Sequence, residues 1–226
     1  SPLVSMDFAE ASRSVQAKVE YHMRRNSQKI LLVTSISENE GKSTVAANIA
    51  LALAEKNKKV LLVDGDLRQP AQEKREGKTS VEQVLTGKAS WQEKLYYSKS
   101  AGIWELFQFS GAKDPAAVLA TAPMKVLAGE WRQAMDYVII DCPPTGVSTD
   151  AEIWMETADS VLLVVREDWS DVRVVNDTVD MIWQSGCDFA GFVLNAFHRD
   201  WIFQEPGYGY DYGDYGKTLQ KGGQRE

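Results

Sequence analysis

The stretch Ile30-Leu31-Leu32-Val33-Thr34-Ser35-Ile36-Ser37-Glu38-Asn39-Glu40-Gly41-Lys42-Ser43-Thr44 decides the fold. Four apolar residues read as a buried strand, the loop closes on Gly-Lys-Ser-Thr, and the alanine-rich run behind it predicts a helix over 43–56. Strand, loop of this kind, then helix is the layout of a phosphate-binding loop. Backbone N–H groups from Glu40 to Thr44 would curl around a polyphosphate, Lys42 would neutralise its outer charge, and Ser43 would offer a hydroxyl to Mg²⁺. The helix begins at the anion, so its positive dipole end faces it. The full pattern asks for glycine five residues before Gly41, where this chain has Ile36, so only the Gly-Lys-Ser half is intact. A surface turn could spell that half by chance.

Two further segments argue against chance. Val60-Leu61-Leu62-Val63 runs into Asp64-Gly65-Asp66-Leu67-Arg68, and Tyr137-Val138-Ile139-Ile140 runs into Asp141-Cys142-Pro143-Pro144. A lone Asp behind an apolar run is usually an ordinary loop residue. In open α/β sheets, however, ligands bind beyond the carboxyl ends of the strands. Three such ends on one edge would let Asp64, Asp66 and Asp141 hold a hydrated Mg²⁺ beside the phosphates.

Composition sets the frame. The chain has 226 residues, 44% of them hydrophobic, enough for one sizeable core. A net charge of −7 argues against a nucleic-acid partner. Cys142 and Cys187 cannot support a disulfide framework or a zinc site and suit a reducing compartment. Cys142 reads as a packed small side chain, and His22 and His198 lie away from every strand end. No apolar run approaches the ~18 residues of a membrane span. The chain opens Ser1-Pro2, as either a processed chain or a domain of a longer membrane protein would.

Periodicity predicts helices over 7–25, 80–85, 122–135, 150–156 and 172–185, with another starting at Pro115. It predicts strands over 30–35, 60–64, 106–109, 137–141, 161–165 and 192–194, and a mobile loop over 68–79. Alternating strands and helices mean an α/β fold: a doubly wound, mostly parallel sheet with helices on both faces. The expected division is a nucleotide-binding domain over 1–200, with an N-terminal helical element in 1–29, and a tail over 201–226.

The tail carries Tyr208, Tyr210, Tyr212 and Tyr215 among glycines and aspartates, half of the eight tyrosines in the chain. An edge strand could stack three of them, but interleaved glycines weaken strands and no aliphatic residue offers a second face. A solvent-exposed flexible tail is the better reading. Phosphorylating all four would add roughly −6 to −8 charges, a large electrostatic switch.

Taken together, Gly41-Lys42-Ser43-Thr44, Asp64-x-Asp66-x-Arg68, Asp141-x-x-Pro144 and the tyrosine cluster resemble the bacterial tyrosine kinases (BY-kinases) of capsule and exopolysaccharide synthesis, of the CapB/CpsD and Wzc cytoplasmic-domain type. Gly111-Ala112-Lys113-Asp114-Pro115, Thr149-Asp150-Ala151 and Val193-Leu194-Asn195 extend the resemblance, which runs from about residue 9 to the end. It implies a P-loop NTPase fold of the deviant-Walker type and ATP- and Mg²⁺-dependent autophosphorylation of the tail, between subunits of a ring-like homo-oligomer. It also implies a membrane adaptor of the polysaccharide co-polymerase type as activator, a tyrosine phosphatase, and a place in the cytoplasm at the inner face of the membrane. By the same resemblance Lys42 stabilises charge on the β- and γ-phosphates, and Ser43 and Asp64 hold Mg²⁺, which Asp141 reaches through water. Asp66 acts as metal contact or base, Arg68 stabilises transferred charge, and Asn195 contacts adenine.

Two positions depart from the family pattern. Its loop carries Pro-Gly where this chain has Glu38-Asn39; Asn tolerates the left-handed conformation, so the turn is expected to form. Its oligomer motif Glu-x-x-Arg-x-x-Arg appears here with Glu10 and Arg13 but with Gln16 in place of the last arginine.

About 13 residues separate Asn195 from Tyr208, a reach of ~44 Å when extended, so reach alone decides nothing between cis and trans transfer. Two other readings compete. A switch ATPase of the chromosome-partitioning or division-site (ParA/MinD) kind places a second lysine where this chain has Ser37. A non-catalytic, nucleotide-gated regulatory module would not need Lys42, Asp64, Asp66 and Asp141 all intact.

Overall fold

Strand β1 (Ile30–Ser35) is buried at all six positions because the sheet places it between two parallel neighbours and under helices on both faces. The computed structural model describes residues 2–68, 80–108 and 111–196, with side chains from Glu10 onward. The other strands are β2 (Val60–Asp64), β3 (Tyr96–Ser98), β4 (Ile103–Leu106), β5 (Tyr137–Asp141), β6 (Ser160–Arg166) and β7 (Asp188–Asn195). Their order across the sheet is β3-β4-β2-β5-β1-β6-β7, and among the described residues only the β3–β4 pairing is antiparallel.

The helices are α1 (Pro2–Arg25), α2 (Lys42–Glu55), α3 (Val81–Leu85), α4 (Pro115–Thr121), α5 (Met124–Ala134), α6 (Asp150–Met155) and α7 (Val172–Ser185). Successive strand side chains alternate between two cores, as a period of two requires. Leu31, Val33, Val60 and Ile139 pack against Val19 and Met23 of α1 and Ile49 and Leu53 of α2. Ile30, Leu32, Leu61, Val63, Val138 and Ile140 pack on the opposite face with Leu119, Leu127, Trp131, Trp154 and Ile182 from α4 to α7. Burial on both faces is why these strands read as unbroken apolar runs.

The elements differ from expectation in four places. The strand expected at 106–109 lies at Ile103–Leu106, where Trp104 and Leu106 align with Leu61 and Val63. Glu105, buried in that strand, breaks its apolar pattern, and the Phe107 carbonyl is already used by the Val81 amide at the start of α3. Strand β3, three residues with exposed Tyr96 and Tyr97, carried no pattern to find. Strand β7 starts four residues earlier than expected, across a register shift near Gly191. Helix α1 likewise begins at Pro2 rather than near residue 7.

Glu10 and Arg13 are exposed on α1. Gln16 is not on that solvated face: its Nε2 donates to the Asn48 carbonyl of α2 at 3.1 Å, so the position that departs from the oligomer motif seats α1 on the domain. The segment Ser1–Asn195 forms one unit and Ala196–Glu226 another, of which only Ala196 is among the described residues. The 69–79 part of the expected loop, His198 and the four tail tyrosines lie outside the described residues.

Candidate functional site

Strands β1, β5 and β2 are immediate neighbours, and Val33, Asp141 and Asp64 form one row across them. The three apolar runs singled out in the sequence therefore stop side by side. Strand β1 continues two residues past the row, and residues 36–41 then loop back to launch α2 directly over the strand ends.

The loop is built from inside. Glu40 is fully buried, and its Oε2 accepts the backbone N–H groups of Ile36 at 2.7 Å and Ser37 at 3.0 Å. Its Oε1 accepts from the Ser170 hydroxyl, beyond β6. Asn39 takes a left-handed φ of 64°, so the turn forms without the family's glycine, as expected. The Arg166 guanidinium donates to the Asn39 carbonyl. Asn195, at the end of β7, donates its side-chain Nδ2 to the Glu40 carbonyl at 2.8 Å. Sequence reasoning counted Glu40 only as a loop member and missed Ser170. A contact from a loop residue back onto its own turn leaves no periodic signal.

Gly41 caps α2 with φ 95°, and a Cβ there would fall 2.2 Å from Asn195 Nδ2. The amide end of Asn195 can swing aside, but the left-handed backbone cannot change without moving the loop. That conformation costs a residue with a side chain about 1–2 kcal/mol. Gly41→Ala is therefore expected to weaken nucleotide binding about tenfold, each decade being about 1.4 kcal/mol. Titration with a fluorescent nucleotide checks this, and wild-type affinity in the variant would contradict it.

Lys42 opens α2 and points at the strand-end acids. Its Nζ lies 3.5 Å from Asp141 Oδ1, 3.9 Å from Asp66 Oδ2 and 3.4 Å from Ser43 Oγ. Burial pushes the Asp141 carboxyl above the usual carboxylate range, and Lys42 and a hydrogen bond from Ser43 pull it partly back. Asp64 Oδ1 accepts from the Asp66 N–H at 3.2 Å, and Asp66 Oδ1 accepts from the Arg68 N–H at 3.1 Å. The structure thus brings Lys42, Ser43, Asp66 and Asp141 together, with Asp64 in the same row. Arg68 is turned aside: Nε and Nη2 grip Asp150 at 2.8 and 3.1 Å. Asn195 reaches the loop backbone. Thr44 is exposed in the first turn of α2. Cys142 is fully buried and its thiol is pushed well up, so it does not serve as a thiolate nucleophile.

The donor set can be tested against a divalent ion. Among the described residues no three His, Cys, Asp or Glu side chains are grouped to hold a metal by themselves. Mg²⁺ bound beside phosphates needs only one or two carboxylates and keeps several waters. Ser43 at the helix start and hard carboxylate oxygens in the adjoining row suit that mode. Among the described residues no helix is long and apolar enough to cross a membrane.

Against known proteins, the family pattern described as an AAA domain matches residues 28–182. The chain is 30% identical over 216 residues to tyrosine-protein kinase YwqD of Bacillus subtilis, across 94% of this chain and 90% of that protein. It is 33% identical over 216 residues to AmsA of Erwinia amylovora, where 94% of this chain spans only 29% of that protein. The fold superposes on the kinase domain of Escherichia coli tyrosine kinase ETK with a TM-score of 0.79 and 24% identity, over 89% of this chain and 80% of that one.

Proposed function

The chain belongs to the bacterial tyrosine-protein kinase family, and on that footing we propose that it transfers the γ-phosphoryl group of ATP to its own tail tyrosines, Tyr208, Tyr210, Tyr212 and Tyr215, between subunits of a ring-like homo-oligomer. The observation that carries this reading is Lys42, held between Asp141 and Asp66 at the start of α2, where the ends of three adjacent strands meet.

Phosphoryl transfer asks little covalent chemistry of an enzyme; positioning and charge stabilisation do most of the work. The amides from Glu40 to Thr44 and the α2 dipole cradle the phosphates. Lys42 carries positive charge to the β- and γ-oxygens. Ser43 and Asp64 would hold Mg²⁺, with Asp141 taking hydrogen bonds from its water, and the ion supplies neutralisation of charge on the phosphate oxygens. Asp66 accepts the proton of the incoming phenol. Arg68 contributes positive field near the transferred group from its seat on Asp150. Asn195, donating its Nδ2 to Glu40, has its amide oxygen to accept from the adenine amino group.

The partners follow from the same reading. Glu10 and Arg13 on the exposed face of α1 serve subunit contact, and Gln16 supports that face from behind. A membrane adaptor of the polysaccharide co-polymerase type activates the kinase at the inner face of the membrane. A tyrosine phosphatase resets the tail, and the phosphorylation cycle controls capsule or exopolysaccharide export.

The test is to incubate the full chain with ATP, Mg²⁺ and the activating adaptor segment, then map phosphate by mass spectrometry. Phosphate on Tyr208 to Tyr215 is expected. Release of inorganic phosphate with unmodified tyrosines would replace the kinase with a switch ATPase, and neither product would leave a regulatory module.

A further inference from the structure

Two motifs of the sequence, Gly111-Ala112-Lys113-Asp114-Pro115 and Thr149-Asp150-Ala151, lie outside the phosphate loop and the strand-end acids, and both meet at Arg68. We propose that Asp150 is a positioning residue of the transfer site: it anchors the Arg68 side chain and so keeps the segment Asp66-Leu67-Arg68 set with the Asp66 carboxylate facing Lys42. The proposal rests on the kinase reading and deepens it.

Asp150 is the first residue of α6 and is 1% exposed, whereas the Arg68 side chain is 41% exposed. A buried carboxylate needs a well-formed partner, and the two-pronged guanidinium contact supplies one. The same short segment sets both strand-end acids. The Arg68 N–H donates to Asp66, the Asp66 N–H donates to Asp64, and the remaining Asp66 oxygen lies 3.9 Å from Lys42 Nζ. Fixing Arg68 therefore fixes the carboxylates next to it.

The segment is also held by its backbone. The Ala112 N–H donates to the Leu67 carbonyl at 2.7 Å, and Leu67 is fully buried. Gly111 lies so close that a Cβ would fall 2.9 Å from the Arg68 carbonyl oxygen, a backbone atom with no freedom to swing aside. One turn along α6, the Trp154 indole donates to the Gly65 carbonyl at 3.0 Å. The residues leaving β2 are thus clamped by α6 on one side and by Gly111-Ala112 on another.

The test uses the full chain with its activating segment and compares wild type with Asp150→Asn, Arg68→Gln, the double variant and Gly111→Ala. Asp150→Asn keeps shape and removes the charged fork, so folding is expected to survive; melting temperatures check it. Loss of a supporting contact of this kind typically lowers activity about 10–100-fold. Each single charge variant is expected to lower kcat for tyrosine phosphorylation about tenfold with KM for ATP within about twofold. The double variant should lose no more than Arg68→Gln alone, since Asp150 acts through the arginine. Gly111→Ala, which leaves both charges in place, should lower kcat in the same way. In parallel, hydrogen exchange of the Asp66 to Arg68 amides should quicken in Asp150→Asn while the β5 amides stay protected. An unchanged kcat, multiplying losses in the double variant, or unaltered exchange at Asp66 to Arg68 would each overturn the proposal. A wild type that never phosphorylates tyrosine overturns the kinase reading instead, and the exchange measurement still decides the clamp.

Discussion

Replacing Lys42 by Met should lower tyrosine phosphorylation at least about 10²–10³-fold, the scale seen when one preorganised charge-stabilising group is removed. Met retains most of the apolar stem but offers no positive charge. The lysine is 14% exposed in its side chain, so little water is present to take over its role. Its loss also leaves Asp66 and Asp141 facing one another's charge without a cation between them. Lys42 lowers the Asp141 carboxyl, so in its absence that group is driven further above the usual carboxylate range. The expected result is a folded protein, by circular dichroism and melting, with almost no transfer from radiolabelled ATP to tyrosine. Retention of activity within about tenfold would show that charge at this position is not what the reaction uses.

Asp141→Asn should act in opposite directions on activity and on stability. If the carboxylate orders water on the metal, its loss should lower kcat about 10–100-fold. Stability follows from the raised carboxyl. A group whose folded pKa exceeds its unfolded value adds stability below the ordinary carboxylate range and loses it as pH rises through the folded value. At neutral pH the ionised Asp141 therefore carries a cost of burial that Asn does not. The variant should melt higher than wild type at pH 7.5, and the gap should close toward pH 4. A variant that melts lower at pH 7.5 would mean that Lys42 and Ser43 more than offset the burial of the charge. Sites that trade stability for function in this way are common at catalytic centres.

How much was legible in the sequence depends on what each element buries. Strands β1, β2 and β5 lie at the centre of the sheet and are apolar on both faces, so their runs stood out; β1 runs into the Gly-Lys-Ser loop and β2 and β5 end in carboxylates, which pointed to the candidate site. Strand β4 hid behind Glu105, β3 is too short and exposed to show a pattern, and β7 is interrupted by Ala190-Gly191. Helix α7 matched its predicted span because its apolar residues recur along one face and Asp171 and Gly186 cap its ends. That Lys42, Ser43, Asp66 and Asp141 come together, with Asp64 in the same row, was likewise readable from their place after strands.

Contacts between distant loops were not readable. Arg68 pairs with a residue 82 positions away, and Asn195 reaches a carbonyl 155 positions away. No local rule of spacing could connect them; only the strand order does. The same holds for Gln16. In the sequence it is a missing arginine, whereas in the fold it ties α1 to α2.

The central claim is that a triphosphate and a divalent ion are held together where β1, β5 and β2 end. The most direct measurement is the affinity of wild type and Asp64→Asn for ATP, each with and without Mg²⁺. Binding of the two ligands at one site makes each strengthen the other by the same factor, so Mg²⁺ should tighten ATP binding about tenfold or more in wild type. That enhancement should be largely lost in Asp64→Asn. Equal ATP affinity with and without Mg²⁺ in the wild type, or an enhancement untouched by Asp64→Asn, would contradict the account.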